Sequence, residues 1–157
     1  MGRKSEISAG ILVYRGARQT EVLLAHPGGP YWAKKDAGAW TIPKGLADGD
    51  EDLLETARRE FTEETGFVAC APFVPLRAVT QKSGKTVHGF ACEGDFDPTR
   101  IVGNAFEIEW PPKSGRRQSF PEIDRVAWFD LAEARARIIS YQRPFLDELE
   151  QLLSKDS

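Results

Sequence analysis

The sequence is short of cysteine, has no long apolar run and carries no surplus of positive charge. Two cysteines stand among 157 residues, too few for a disulfide-stapled secreted domain. Both, Cys70 and Cys92, sit in apolar, strand-like surroundings and are expected to be reduced core residues. No uninterrupted apolar stretch approaches the roughly 20 residues that a membrane-spanning helix needs. The opening MGRKSEISAG is charged and lacks the apolar segment of a secretion signal. Glu6 stands where a myristoylation sequence would carry Ser or Thr. A cytoplasmic protein is expected. The formal net charge of −3 weighs against non-specific nucleic-acid binding, which rests on a basic surface. No internal repeat, low-complexity tract or linker divides the chain. Residues 1–157 therefore read as a single domain, long enough to bury a core.

What is present is an alternation of strand-like and helix-like segments. ISAGILVY (7–14) and EVLLAH (21–26) predict buried strands joined by a short turn. AWTIP (39–43) predicts a short strand ended by Pro43, and KGLADGDE (44–51) a loop. FVACAPFVPLRAVT (67–80) is expected to be extended, with Pro72 and Pro75 marking an edge or bulge. KTVHGFAC (85–92), AFEIEW (105–110) and DRVAWF (124–129) predict strands, and PPKSGRRQS (111–119) a basic loop. Asp130 with Glu133 opens a helix to about Ile139. Pro144 suits the first turn of a last helix, whose apolar face is Phe145, Leu146, Leu149, Leu152 and Leu153. Such a mixture implies an α/β fold with a sheet between helices.

The segment RREFTEETG (58–66) carries the chemistry. A helix is expected from a cap at Asp52, with Glu55 three residues on, to a left-handed cap at Gly66. With ~100° per residue, Glu63 and Glu64 fall within about 60° of Glu60. Leu54, Ala57 and Phe61 form the neighbouring buried stripe. Three carboxylates bordering a core repel one another, at ~0.2–0.5 kcal/mol per pair on an exposed helix and more when half-buried. Arg59, near Glu63 and Glu55, offsets only part of this. Hard oxygen donors of this kind suit Mg²⁺ or Mn²⁺ rather than Zn²⁺.

The spacing is more specific than the charge. From Gly45 the chain reads Gly, five residues, Glu51, seven residues, Arg59-Glu60-Phe61, one residue, Glu63-Glu64, one residue, Gly66-Phe67. The segment GLADGDEDLLETARREFTEETGF (45–67) thereby resembles the Nudix box at every position. Chance would produce such a match on the order of once in 10⁷ chains of this length. The flanking AWTIPKG is similar to the family as well.

The resemblance implies an α/β/α sandwich around a mixed central sheet, and hydrolysis of a nucleoside diphosphate linked to another moiety. It implies Mg²⁺, with Mn²⁺ as an alternative, and a small nucleotide as the binding partner. Glu60 and Glu64 match the family's chief metal ligands, Glu63 a further ligand or base, and the Gly45 carbonyl an additional ligand. Glu51 and Arg59 match residues that brace the loop against the helix. Glu122, in FPEIDRVAW, suits the place of a catalytic base, or of one more metal ligand, supplied from a loop beyond the box. Lys44 is a candidate for a substrate phosphate, and Arg116 and Arg117 for terminal phosphates on a mobile lid. Trp32, Trp110, Phe90 and His88 are candidates for contact with a base or substrate, against the plainer reading that strand aromatics fill a core.

Substrate markers work mostly by absence. The proline and tyrosine that mark two subfamilies are missing from QKSGK and its surroundings. KTVHGFACEGD nevertheless resembles a strand of the dinucleoside-tetraphosphate hydrolases, with Gly89 where a tyrosine is expected. A nucleoside or dinucleoside polyphosphate is the favoured substrate. Diphosphoinositol polyphosphates, suggested by Lys82, Lys85, Arg116 and Arg117, and oxidised nucleotides are alternatives. A non-catalytic nucleotide-binding module is a further one.

Overall fold

A computed structural model describes residues 6–16 and 18–155. The expectations for the first five residues, and for part of the first turn, lie outside the described residues.

Strand β1 (Ile7–Arg15) is buried almost end to end, which requires cover on both faces. Alternation supplies it, because successive side chains point to opposite sides. Ala9, Ile11 and Val13 enter one apolar cluster with Ala57 and Phe61 of helix α1 (Leu53–Thr65). Leu12 enters the other with Phe145, Leu146 and Leu149 of helix α3 (Arg143–Ser154) and Ala134 of helix α2 (Leu131–Arg137). The Val, Leu, Ile and Phe side chains among these each contribute about 1.5–3 kcal/mol on full burial. The result is the expected helix–sheet–helix sandwich.

β1 pairs in parallel with β6 (Thr86–Glu93), from Ile7 opposite Thr86 to Tyr14 opposite Glu93. It pairs antiparallel with β2 (Glu21–Pro27) and with the short β3 (Lys44–Leu46). β2 in turn pairs with β9 (Ile123–Asp130), and β6 with β4 (Val74–Pro75) and β5 (Val79–Thr80). The sheet is therefore mixed. A separate hairpin of β7 (Ala105–Glu109) and β8 (Arg117–Pro121) stands off it. No described helix is long and apolar enough to cross a membrane.

Several local expectations are corrected. Trp40 and Thr41 make only single bridges, to Ile138 and Ala25. Proline 43 has no N–H to continue a ladder, so regular pairing starts after it, at Lys44 in the expected loop. Segment 67–80 is extended but pairs only at β4 and β5. The last third of the expected basic loop, residues 117–119, belongs to strand β8, because Arg117 and Gln118 pair with Glu109 and Ile108. α2 ends at Arg137, since Ile139 N–H donates to the Trp40 carbonyl across 2.7 Å and draws the chain into extended conformation. In α1, Leu53 rather than Leu54 packs on the core. Cys92 is buried as expected, whereas Cys70 is exposed. A Cβ at Gly89 would lie 2.9 Å from the Phe145 ring. Packing of α3 on the sheet thus excludes the tyrosine expected there.

Candidate functional site

Helix α1 begins and ends as the sequence indicates. The Asp52 side chain accepts from Glu55 N–H, and Gly66, with φ of 81°, caps the C-terminus by donating to the Thr62 carbonyl. The loop before the helix is tied to it by Arg59 and Glu51. Arg59 Nε and Nη2 donate to Glu51 at 3.1 and 2.9 Å, and Thr56 Oγ1 donates to the same carboxylate at 2.7 Å. The Arg59 bond, followed by that of Thr56, holds the Glu51 carboxyl down at about 2. Bidentate pairs of this type fix geometry as well as charge. Arg59 also reaches Glu60 at 2.8 Å and Glu63 at 3.3 Å. Glu55, expected beside Arg59, pairs instead with Arg58.

The three glutamates differ in environment. The Glu63 side chain is 41 % exposed and that of Glu60 15 %. Glu60 lies directly on Gly45: a Cβ there would fall 2.0 Å from the Glu60 carboxylate. Pairing of Gly45 with Ala9 of β1 fixes this approach. Glu64 turns into a cleft of about 270 Å³, where it meets Lys44, Glu122, Trp32, Gln81 and Tyr141. The Lys44 N–H donates to Glu64 Oε2 at 3.2 Å. Burial, and then the charges of Glu60 and Glu122, push the Glu64 carboxyl up to about 8. Burial likewise raises Glu60 and depresses the Lys44 ammonium. Glu122, 58 positions beyond Glu64 in sequence, thus acts electrostatically on both glutamates.

Backbone hydrogen bonds place Glu122. Its N–H donates to the Asn104 carbonyl and its own carbonyl accepts from Gly28 N–H, each at 2.9 Å. Asn104 N–H donates to the Glu63 carbonyl at 3.1 Å, and Val102 N–H to that of Thr65 at 2.9 Å. Segment 102–104 therefore straps the end of α1, supplying donors to carbonyls that a helix terminus leaves open. One root of the β7–β8 hairpin is fixed to α1 and the other to the loop that carries Trp32.

The structure thus brings Lys44, Glu64 and Glu122 to one cleft, and sets Gly45 and Glu60 against each other beside it. Arg116 and Arg117 are exposed on the hairpin and do not line the cleft. Phe90 packs on the apolar cluster beneath α1. Trp110 meets Tyr31 edge-on, with ring centres 5.3 Å apart. His88 is half-buried in β6. Sequence reasoning missed Tyr141, Gln81 and Thr41 as cleft residues. Tyr141 lies in a single 3₁₀ turn before α3, and no spacing pattern marks it.

The all-oxygen donor set of Glu60, Glu63, Glu64 and the Gly45 carbonyl fits a hard divalent cation, and burial, ahead of neighbouring charge, raises the Glu60 and Glu64 carboxyls. Among the described residues, no three His, Cys, Asp or Glu side chains converge into a ready-made metal cage.

The sequence matches the NUDIX domain over residues 4–149. Among solved structures, the chain is similar to a Caenorhabditis elegans Ap4A hydrolase in a binary complex, at 22 % identity and a TM-score of 0.65. That match covers 94 % of this chain and 98 % of the other. It is also similar to the NUDIX domain of Shewanella oneidensis NrtR complexed with ADP ribose, at 16 % identity and a TM-score of 0.61, covering 99 % and 91 %. A third similar structure comes from work on MutT of Aliivibrio salmonicida and Vibrio cholerae, at 14 % identity and a TM-score of 0.56, covering 93 % and 96 %. At these identities the structures speak for the fold, while the domain match extends over nearly the whole sequence. The chain belongs to the Nudix family of hydrolases, enzymes that cleave phosphoanhydride bonds.

Proposed function

We propose that the protein is a divalent-metal-dependent pyrophosphohydrolase whose substrate is a nucleoside or dinucleoside polyphosphate. The observation that carries this reading is the convergence of Glu64, Glu122 and Lys44 in a cleft that Trp32 and Tyr141 also line. Carboxylates, a lysine and aromatic rings in one cleft are the groups that a phosphate chain attached to a base requires.

In the overall reaction, a water oxygen bonds to phosphorus, one bridging P–O bond breaks, and the water's protons are released to a base and the leaving phosphate. Glu60, Glu64 and the Gly45 carbonyl would hold Mg²⁺ or Mn²⁺, with Glu63 as a further ligand. When bound, the cation neutralises phosphate charge and lowers the pKa of coordinated water. Glu122, or Glu63 in its place, accepts a proton from the attacking water. Lys44 binds a phosphate oxygen, and the Trp32 ring stacks on the base. Glu51 and Arg59 keep the loop and helix in register. Arg116 and Arg117, exposed on the hairpin, would reach terminal phosphates through movement of that hairpin as a lid.

The test is phosphate release, coupled to a phosphatase, across nucleoside triphosphates, oxidised nucleotides, dinucleoside polyphosphates, ADP-ribose and diphosphoinositol polyphosphates. Release should require Mg²⁺ or Mn²⁺ and be fastest with a nucleoside or dinucleoside polyphosphate. Preference for another class would overturn the substrate assignment. Tight nucleotide binding without turnover of any compound would point to a non-catalytic module.

A further inference from the structure

A second and larger groove, of about 590 Å³, runs between the 77–80 segment and helix α3. It adjoins the Glu64 cleft: Tyr141 lines both, and the consecutive residues Thr80 and Gln81 line one each. Tyr141 is a fixed partition. Its hydroxyl accepts from Gln142 Nε2 at 3.0 Å, while Gln142 Oε1 accepts from Ile42 N–H at 3.0 Å, and Gln142 is wholly buried. The far wall is held as well, because Arg77 N–H donates to Glu148 Oε1 on α3 at 2.8 Å.

The two spaces differ in charge. The Glu64 cleft holds two carboxylates and one lysine, suiting cations and phosphate. The groove sets Arg77 and Lys155 against Asp147 and Glu148, a formal charge of zero, beside the apolar surfaces of Val79, Leu152 and the Tyr141 ring. Such a surface favours an uncharged group with a flat apolar face and hydrogen-bonding edges. Its volume lies within the usual range for a small-molecule site, ~300–1,000 Å³.

We infer that this groove takes the second nucleoside of a dinucleoside polyphosphate whose phosphate chain lies in the Glu64 cleft. The inference rests on the function proposed above and narrows it. A substrate that spans both spaces places its charge beside the carboxylates and lysine, and its second base past Tyr141.

Two measurements test it. Gln151 is exposed and lines the groove without taking part in the proposed chemistry. Gln151→Trp should fill the groove. It should raise KM for diadenosine tetraphosphate roughly tenfold, and leave KM for adenosine 5′-tetraphosphate and both kcat values unchanged. Equal effects on the two substrates, or none on either, overturn the inference. The second measurement needs no turnover. In a Cys70→Ser background, Gln151→Cys places a thiol in the groove. A methylene-bridged diadenosine tetraphosphate with Mg²⁺ should protect it from a maleimide, and the mononucleoside analogue should not. Equal protection by both, or by neither, again overturns the inference. Failure of the function itself reads differently: the unmodified protein would hydrolyse neither substrate.

Discussion

Gly28 and Glu122 are joined through the backbone, the N–H of the first donating to the carbonyl of the second across 2.9 Å. The contact leaves no room: a Cβ on Gly28 would lie 1.9 Å from the carbonyl oxygen of Pro121. Backbone cannot rotate away as a side chain does, so Gly28→Ala must push the 121–122 segment from its place. On the reading that Glu122 handles a proton, a shift of this size should lower kcat roughly 10- to 100-fold. KM should move little. Glu122→Gln should lower kcat in the same direction with no loss of thermal stability. An active Glu122→Gln variant would remove Glu122 from the mechanism. If that variant is inactive, an unimpaired Gly28→Ala enzyme would show that the junction does not position it.

Glu64 is placed where its charged form is disfavoured. A buried carboxyl raised by burial and by two neighbouring carboxylates contributes nothing to folding in its charged form. Glu64→Gln keeps the shape and removes the charge. In metal-free buffer its Tm should equal or exceed that of the unmodified protein. On the proposal that Glu64 holds the cation, turnover with Mg²⁺ should fall roughly 10³-fold. Near-normal turnover would overturn the assignment of Glu64 as a ligand.

The parts legible in the sequence are those with local grammar. The caps Asp52 and Gly66 fix a helix by rules that operate within a few residues, and that helix forms at 53–65. The buried strands β1, β2 and β6 declare themselves by short, predominantly apolar segments. The Glu51–Arg59 brace belongs to the same 23-residue segment and is readable from it. Partners set by distant backbone are not readable. Tyr141 faces the cleft because Gln142 reaches Ile42, 100 positions away. Glu122 reaches it through Asn104 and Gly28. Arg116 and Arg117 form a conspicuous basic pair in sequence, yet the hairpin pairing of Arg117 with Glu109 carries them onto exposed surface. Cys70 was misjudged for a related reason: its apolar neighbours belong to a segment that pairs only briefly.

Acid should separate Glu51 from the rest of the site. Its folded pKa, about 2, lies below its ordinary value of 4.5, chiefly through the Arg59 hydrogen bond. A depressed carboxylate stabilises the fold while the unfolded chain is also ionised, above about pH 4.5. That contribution fades as pH falls from there towards 2. Glu51→Gln should therefore lower Tm at pH 6, and the gap between variant and unmodified protein should narrow steadily from pH 5 to pH 3. A gap that stays constant over this range would mean that Glu51 braces the loop by shape, without help from its charge.

The two cysteines should differ sharply in reactivity. Cys70 is exposed, whereas Cys92 in β6 is 2 % exposed. Burial pushes the Cys92 thiol up to about 11, so the thiolate that alkylating reagents need is nearly absent at neutral pH. A maleimide at pH 7 should modify one thiol per folded chain within minutes, and peptide mapping should find it at Cys70. Cys92 should react only as β6 separates from β1, at a rate that rises with denaturant in step with loss of the fold. Because β1 pairs with β6 over eight positions, rapid labelling of Cys92 in the native protein would mean that the central parallel pair opens without global unfolding. The rigid frame that holds Gly45 against Glu60 would then have to be abandoned.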